Sequence, residues 1–504
     1  MNRLVIVSNR LPVTVKQVGG CYQAEASSGG LVTALRPIVQ RHRSCWIGWT
    51  GTDRNPRVGE LLAAGAGPDG CHLIPVFLSE QERHDFYSGF CNEILWPLLH
   101  DLQSKCNFEP AYWRSYVAIN TRFSEVIRAE TEAEDLVWIH DYHLMLQGKM
   151  LRDKVARERL VYFHHVPFPP PDVFEKLPWR LEILDSLLSF RTVGFQTSRD
   201  RRNFVESARR FFPEIRVRKT MSGLLVSRGE DATLVGAFPI GIDCDEFTNV
   251  ATQQQVVMHA QQIRKNLKQC RIVLSVDRLD YTKGIPERLK AFRNLLNLYP
   301  GLHRHIALVQ IVVPSREDIP DYQELKINVE RRVGEINGHF GGPSWIPVHY
   351  LHRHLSRKDL VAYYRAADIA MITPLKDGMN LVAKEFCASR VDDTGILILS
   401  EFAGVANQLA TGALLVNPYD SDKVALTLYN AMDMDEVQVR HNMRRMRRRL
   451  KTDDVHHWCE QVLCGTSLSA QLSTRSKELA PLVLTEPWKT PGPVPAAATA
   501  GELA

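Results

Sequence analysis

Short runs of apolar and β-branched residues alternate with helical patterns along most of this chain, and no other feature restricts its fold as strongly. Leu4–Val7, Leu136–His140 and Leu160–His164 are three such runs. Strands that are apolar along their whole length are typical of parallel sheets covered by helices on both faces. The apolar spacing of Leu31–Val39 and Tyr112–Arg128 predicts helices between the strands. We therefore predict an α/β fold.

The strand pattern begins a second time after about residue 240. The second series of predicted strands is Arg271–Val276, His305–Val313, Ile346–Leu351, Asp368–Thr373 and Ile396–Ser400. A chain of 504 residues is too long for one ordinary hydrophobic core. The two series therefore predict two doubly wound Rossmann-like domains that face each other across a cleft.

The domain boundaries follow from the same patterns. We predict an N-terminal domain over residues 1–240 and a C-terminal domain over 241–430. Helices over 431–470 are expected to cross back to the N-terminal domain. Residues 475–504 are rich in Pro, Ala and Gly, a composition that predicts a disordered tail.

The composition is that of a cytoplasmic protein. The first apolar run is shorter than a signal peptide requires, and no run approaches the length of a membrane span. The ten cysteines are scattered without zinc spacing, which favours reduced thiols. A net charge of +5 is compatible with an anionic small substrate and predicts no nucleic-acid partner. The oligomeric state is left open, a homo-oligomer included.

One basic stretch, residues 440–451, contains six arginines and a lysine. Two interpretations are open: a polyanion-binding patch, or a solvated helix face. The second is favoured, because Val437, Met443, Met446 and Leu450 can supply a buried stripe on the same helix.

Polar residues follow the predicted strands at the edge where open parallel sheets bind ligands. Asp141 follows one strand and His165 the next; the first can hold sugar hydroxyls, and the second can donate a hydrogen bond to a sugar or its leaving group. Gly29 and Gly30 open a helix, where backbone N–H groups can approach a phosphate, although a flexible turn is an equal alternative.

The second half offers cations after its strands. Arg278 and Lys283 can neutralise a diphosphate leaving group, and Arg316 presents a planar fork suited to phosphate oxygens. Surface ion pairs are the alternative for the first two. Asp377 begins a DGMN segment before a helix, and Glu385 in that helix can accept ribose hydroxyls. The chain has no phosphate loop, no GxGxxG motif and no DxD pair, so we expect no metal and no cofactor.

These residues lie in segments that together resemble the trehalose-6-phosphate synthase family, from about Leu4 to about residue 460. The matching segments are VSNRLP at 7–12, SGGL at 28–31, WIGWTG at 46–51, LWPLLH at 95–100, WIHDYHL at 138–144, HHVPFPPPDVF at 164–174, GFQT at 194–197, PIGID at 239–243, DRLDYTKGIPERL at 277–289 and TPLKDGMNLVAKEF at 373–386. The resemblance implies the GT-B glycosyltransferase fold, with an acceptor-binding N-terminal domain and a nucleotide-sugar-binding C-terminal domain. It also implies a retaining transfer of glucose from UDP-glucose, or another nucleoside-diphosphate glucose, to glucose 6-phosphate.

The resemblance implies a role for each site residue. Those implied to bind the acceptor are Arg10 and Arg316 at the 6-phosphate, Trp49, Tyr87 and Trp96 as walls, and Asp141 at the sugar. Those implied to bind the donor are Gly29, Gly30, Arg278 and Lys283 at the diphosphate, His165, Asp377, Gly378, Met379, Asn380 and Leu381 at the glucose, and Glu385 at the ribose. The implied catalytic set is Asp141, His165, Arg278, Lys283 and Asp377.

Two other functions remain open at this point. A glucosylglycerol-phosphate synthase would use the same donor chemistry with glycerol 3-phosphate as acceptor. A catalytically silent sugar-phosphate sensor is the other, although the presence of Lys283 and Arg278 speaks against it. The favoured function belongs to trehalose biosynthesis, in osmoprotection or stress response. Lys376 departs from the arginine common in the family, and we expect little effect from that change.

Overall fold

The computed structural model describes residues 3–18, 21–26, 29–41, 44–52, 56–63, 71–268, 270–317 and 319–463. The tail predicted over 475–504 lies outside the described residues. The strands are β1 (Leu4–Arg10), β2 (Val13–Val18), β3 (Cys21–Ala26), β4 (Ser44–Trp49), β5 (His72–Val76), β6 (Leu136–His140), β7 (Leu160–His164), β8 (Thr192–Phe195), β9 (Arg216–Lys219), β10 (Leu224–Arg228), β11 (Asp231–Ala237), β12 (Arg271–Arg278), β13 (Ile306–Val313), β14 (Val348–His352), β15 (Ile369–Ile372), β16 (Ile396–Ser400) and β17 (Leu414–Val416).

The α-helices are α1 (Gly30–Arg41), α2 (Pro56–Ala63), α3 (Glu80–Glu82), α4 (Trp96–Leu99), α5 (Pro110–Glu130), α6 (Gln147–Met150), α7 (Pro171–Phe174), α8 (Arg180–Leu187), α9 (Ser198–Phe211), α10 (Cys244–Thr252), α11 (Gln254–Asn266), α12 (Ile285–Leu298), α13 (Pro320–Phe340), α14 (Arg357–Ala366), α15 (Leu381–Ser389), α16 (Ala406–Leu409), α17 (Ser421–Met432) and α18 (Glu436–Thr452). A π-helical segment, Arg83–Leu95, joins α3 to α4, and residues 455–463 are helical.

The first sheet is parallel through most of its width. Among the described residues it has nine strands in the order β5-β4-β1-β6-β7-β8-β11-β10-β9. The first seven strands in that order pair in parallel, and β10 pairs antiparallel with both β11 and β9. Val5, Ile6 and Val7 in the centre are fully buried. Apolar side chains on both faces of one strand require helices on both sides of the sheet.

The second sheet is parallel throughout its described strands. Its six strands, counted over the described residues, run β14-β13-β12-β15-β16-β17. The register of β12 against β13 is unbroken from Arg271 opposite Ile306 to Arg278 opposite Val313. The predicted α/β fold with two doubly wound, Rossmann-like halves is confirmed. One predicted strand shifts, because Ile346 is half exposed and β14 begins two residues later.

The connection between the two sheets passes through Ile240 and Gly241, against the C-terminal segment. A Cβ on Gly241 would lie 2.2 Å from the backbone carbon of Asp454, so only glycine fits there. The ring centroid of Trp458 lies 5.0 Å from that of Trp138 in the first sheet. Residues near the end of the described chain thus pack on the N-terminal half. The boundaries given above remain predictions.

The basic stretch lies in α18 and packs as a helix against the core. Met443, Met446 and Leu450 are buried, as predicted for the stripe, but Val437 is 75% exposed. That prediction was wrong because nine residues turn a helix by about two and a half turns, which places Val437 on the face opposite Met446. None of the described helices is long and apolar enough to cross a bilayer.

Candidate active site

Asp141 and His165 meet at the carboxyl edge of the first sheet. They follow β6 and β7, which are neighbours, and the backbone N–H of His165 donates to Oδ1 of Asp141 at 3.3 Å. The backbone of Asp141 has φ of 73°, a conformation that is uncommon for residues other than glycine. Burial raises the pKa of Asp141 to about 6, although Arg278 and Arg316 oppose the shift. The carboxylate therefore faces the cations of the second half.

The imidazole of His165 is held by protein on both ring nitrogens. Nε2 lies 3.0 Å from Nδ1 of His140, and Nδ1 lies 3.4 Å from Nε2 of Gln196. Burial lowers the pKa of His165 to about 3, so the ring is neutral at neutral pH. A neutral imidazole can accept a hydrogen bond from a sugar hydroxyl.

Arg316 lies over Trp96, with its guanidinium carbon 4.1 Å from the ring centroid. Its Nη1 lies 3.4 Å from Oδ2 of Asp280, and Nη2 donates to the hydroxyl of Tyr142 at 3.5 Å. Nε1 of Trp96 is buried and has no partner among the described residues. A polar ligand beside the indole can satisfy that donor. The contact between Arg316 and Tyr142 also joins the two halves of the molecule.

Arg10 and Tyr87 form the outer part of the same pocket. The guanidinium carbon of Arg10 lies 4.6 Å above the ring of Trp49, and Tyr87 stacks on His143 with ring centroids 5.9 Å apart. Desolvation in the cleft lowers the pKa of Arg10, and the phenol of Tyr87 opposes that shift. Tyr87 also acts to raise the pKa of Arg316, against the effect of burial. The structure therefore brings the predicted acceptor residues together.

Lys283 and Asp377 form an ion pair on the opposite side. Nζ of Lys283 donates to Oδ2 of Asp377 at 2.6 Å, and Nδ2 of Asn380 donates to the same oxygen at 3.1 Å. Burial acts to raise the pKa of Asp377, but Lys283 reverses that effect and the pKa is lowered. The structure thus pairs a residue predicted to bind the diphosphate, Lys283, with a residue predicted to bind the glucose, Asp377.

Arg278 completes a group of three cations. It ends β12, and its guanidinium carbon lies 5.8 Å from the ring centroid of Trp96. Burial acts to raise the pKa of Asp280, but Arg316, Lys283 and Arg278 together lower it. All three cations therefore lie within electrostatic reach of one buried carboxylate, at the carboxyl end of the second sheet.

The DGMN segment approaches the first half closely. A Cβ on Gly378 would lie 2.4 Å from the carbonyl oxygen of His165, and a Cβ on Gly30 would lie 3.2 Å from Cδ1 of Leu381. Asn380 caps α15 with φ of 77°, and its side chain accepts from the N–H of Ala383 at 3.1 Å. The amino end of α15 therefore opens into the cleft. Gly29 is exposed beside it, and Met379 is buried beneath it.

Glu385 lies one turn into α15. Its Oε2 accepts from the hydroxyl of Tyr364 at 2.8 Å, and burial raises its pKa. The other carboxylate oxygen remains for a ligand hydroxyl.

Two contacts across the cleft were missed by sequence reasoning. Lys376 pairs with Asp101, just beyond the helix that carries Trp96, and Nζ of Lys105 lies 2.7 Å from Oδ2 of Asp321. The position of Lys376 beside the DGMN segment was the available signal. No cluster of three potential metal ligands occurs within the described part of the chain.

Known proteins are similar to this chain over most of its length. The sequence profile of glycosyltransferase family 20 matches residues 2–466. The chain is 40% identical over 91% of its length to a trehalose-6-phosphate synthase of Mycobacterium sp. (strain JLS), covering 95% of that protein. It is also 40% identical, over 90% of its length, to a bifunctional trehalose-6-phosphate synthase/phosphatase of Thermoproteus tenax, of which it spans only 62%.

A solved structure is similar over the whole fold. The crystal structure of a UDP-forming α,α-trehalose-phosphate synthase from Burkholderia xenovorans in complex with glucose-6-phosphate superposes with a TM-score of 0.83. The sequence identity is 29%, and the match covers 92% of this chain and 100% of that one.

Proposed function

The chain belongs to glycosyltransferase family 20, and from that premise we propose that it transfers glucose from UDP-glucose to glucose 6-phosphate with retention. The products are α,α-trehalose 6-phosphate and UDP. The observation that carries the proposal is the grouping of Arg278, Lys283 and Arg316 around buried Asp280. Each of the two phosphorylated substrates needs positive charge in its own part of the cleft. These three cations supply that charge.

The acceptor is placed by the pocket around Trp96. Arg316 and Arg10 bind the 6-phosphate, and Trp49, Tyr87 and Trp96 wall the sugar. The two arginines lie on opposite halves of the molecule, so phosphate binding draws the halves together. Asp141 accepts from hydroxyl groups of the acceptor. Its ionised form does so best, and the pKa of about 6 leaves it ionised at neutral pH.

The donor is placed by the amino end of α15 and the cations beside it. Arg278 and Lys283 bind the diphosphate with Gly29 and Gly30, and Glu385 binds the ribose. Asp377, Gly378, Met379, Asn380 and Leu381 hold the glucose, with His165 on its other side. Fixed positive charge stabilises the diphosphate as its bond to the sugar breaks.

The reaction needs no protein nucleophile. The acceptor hydroxyl attacks from the face that the diphosphate leaves, and a leaving-group oxygen takes the proton. The protein supplies orientation, charge and exclusion of water. No metal takes part in this scheme, because side chains supply the positive charge. We also propose a cytoplasmic location, consistent with the buried thiols of Cys45, Cys91 and Cys387.

The test is an activity assay with the purified protein and UDP-glucose. UDP release is measured with glucose 6-phosphate and, separately, with glycerol 3-phosphate, and the product is identified by mass and NMR. Release only with glucose 6-phosphate, giving an α,α-1,1-linked phosphorylated disaccharide, supports the proposal. Release only with glycerol 3-phosphate would keep the donor chemistry and refute the acceptor. No release with either acceptor from any nucleoside-diphosphate glucose would refute the enzyme.

A further inference from the structure

The backbone of Ile240, in the connection between the two sheets, is held at its N–H and at its carbonyl by buried side chains. Its N–H donates to Oε1 of Gln196 at 2.9 Å, and its carbonyl accepts from Nζ of Lys384 at 2.6 Å. Gln196 follows β8 in the first half, and Lys384 lies on α15 in the second. Gln196 is 2% exposed and Lys384 is fully buried. One side chain from each half therefore fixes the connection.

The bond to Ile240 determines the orientation of the Gln196 amide. A backbone N–H can only donate, so the amide oxygen faces Ile240 and the NH₂ group faces Nδ1 of His165. An NH₂ group cannot accept, so Nδ1 of His165 is the acceptor and the ring proton lies on Nε2. That proton is directed at Nδ1 of His140, 3.0 Å away. The direction of donation therefore runs from Gln196 through His165 to His140.

We propose that Gln196 is a positioning residue that holds His165 in the Nε2–H tautomer and couples that ring to the interdomain connection. The inference rests on the proposed function, in which His165 faces the donor glucose. Nδ1 carries one lone pair, so a sugar hydroxyl donates to it in place of Gln196, whose contact with that nitrogen is long at 3.4 Å. A displacement of Ile240 moves Gln196 and changes the 3.4 Å contact with His165, so the position of the connection is transmitted to the donor side.

Gln196→Glu tests this with almost no change of shape. One carboxylate oxygen still accepts from Ile240, while the other needs a proton from Nδ1 of His165. We expect the tautomer of His165 to change from Nε2–H in the wild type to Nδ1–H in the variant. Long-range ¹H–¹⁵N spectra of ¹⁵N-histidine-labelled protein report this, and the spectrum of His165→Asn assigns the signal. We also expect the KM for UDP-glucose to rise about 2- to 10-fold, as for one lost hydrogen bond, with the acceptor KM changed less than about twofold.

Gln147→Glu is the matched control, because Gln147 is also a fully buried amide, and its Nε2 donates to the carbonyl of Asn120 at 2.7 Å. It should lower the melting temperature without a donor-specific change in KM. An Nδ1–H tautomer in the wild type would overturn the proposal even if Gln196→Glu fails to fold. Equal changes in donor and acceptor KM would reduce Gln196 to a structural residue. A wild type without glucosyl transfer would refute the proposed function instead, and the NMR comparison would still decide the tautomer.

Discussion

Replacing Lys283 with alanine removes the cation that binds both a protein carboxylate and, in the proposed reaction, the leaving diphosphate. The side chains of Lys283 and Asp377 are 11% and 14% exposed, and 2.6 Å separates Nζ from Oδ2. The loss of one such donor to developing negative charge costs about 2.7–4 kcal/mol in the transition state. We therefore expect kcat for trehalose 6-phosphate formation to fall about 10²- to 10³-fold.

The same substitution has a separate effect on stability, with a predictable pH dependence. Lys283 lowers the pKa of Asp377 in the folded protein, so its contribution is present above the unfolded pKa of about 4 and is lost as the pH falls through the folded pKa. Removing one member of a nearly buried pair costs about 3–5 kcal/mol. The variant should be destabilised more at pH 7 than at pH 3, as measured by urea unfolding.

Lys149→Ala is the control. Lys149 lies 2.6 Å from Oδ2 of Asp185, but it is 68% exposed, and such a surface pair contributes about 0–1 kcal/mol. Its turnover should match the wild type. UDP release is followed at a temperature where circular dichroism shows each variant to be folded. A loss of less than about tenfold in Lys283→Ala would refute the role of this lysine in stabilising the leaving group.

Three further predictions concern the acceptor, the glycine contact and pH. Arg316→Ala should raise the KM for glucose 6-phosphate about 10- to 100-fold, since bonds to charged groups contribute about 1.5–3 kcal/mol; an equal loss of UDP affinity by calorimetry would contradict the assignment. Gly378→Ala should abolish turnover while leaving the protein folded, because the added Cβ meets the carbonyl of His165 at 2.4 Å; normal kinetics would show that the loop moves freely. Protonation of Asp141 near pH 6 should lower kcat/KM for the acceptor as the pH falls from 7 to 5; the proposed role fails if the profile is flat.

The sequence was sufficient to predict the fold because buried apolar runs, and the polar residues that follow them, are local features of the chain. Buried runs such as Leu4–Val7 and Arg271–Val276 have the length and composition of parallel strands. Because open parallel sheets bind ligands at the carboxyl ends of their strands, Asp141 and His165 were predicted at that edge, where the structure has them in contact. Val437 was misplaced because a separation of nine residues from Met446 puts the two side chains on opposite faces of the helix.

The pairings within the site depend on chain crossings that no local pattern reports. Lys283 and Asp377 are 94 residues apart, and Lys376 and Asp101 are 275 apart. Each was recognisable as a charged residue after a strand or helix, but the choice of partner depends on how the two sheets face each other. Gln196 lies in one of the segments that resemble the family. Its proposed role depends on its contact with the backbone of Ile240, which no local pattern reports.

The contact of Trp458 with Trp138 and Phe163 has a consequence for biosynthesis. During translation β6 and β7, which carry Trp138 and Phe163, are made roughly 300 residues before this tryptophan, an interval of about 15–60 s at 5–20 residues per second. Until then Trp138 and Phe163 lack their contact with Trp458. A nascent chain in that interval presents a hydrophobic patch to chaperones, and slow codons between the two halves would prolong its exposure.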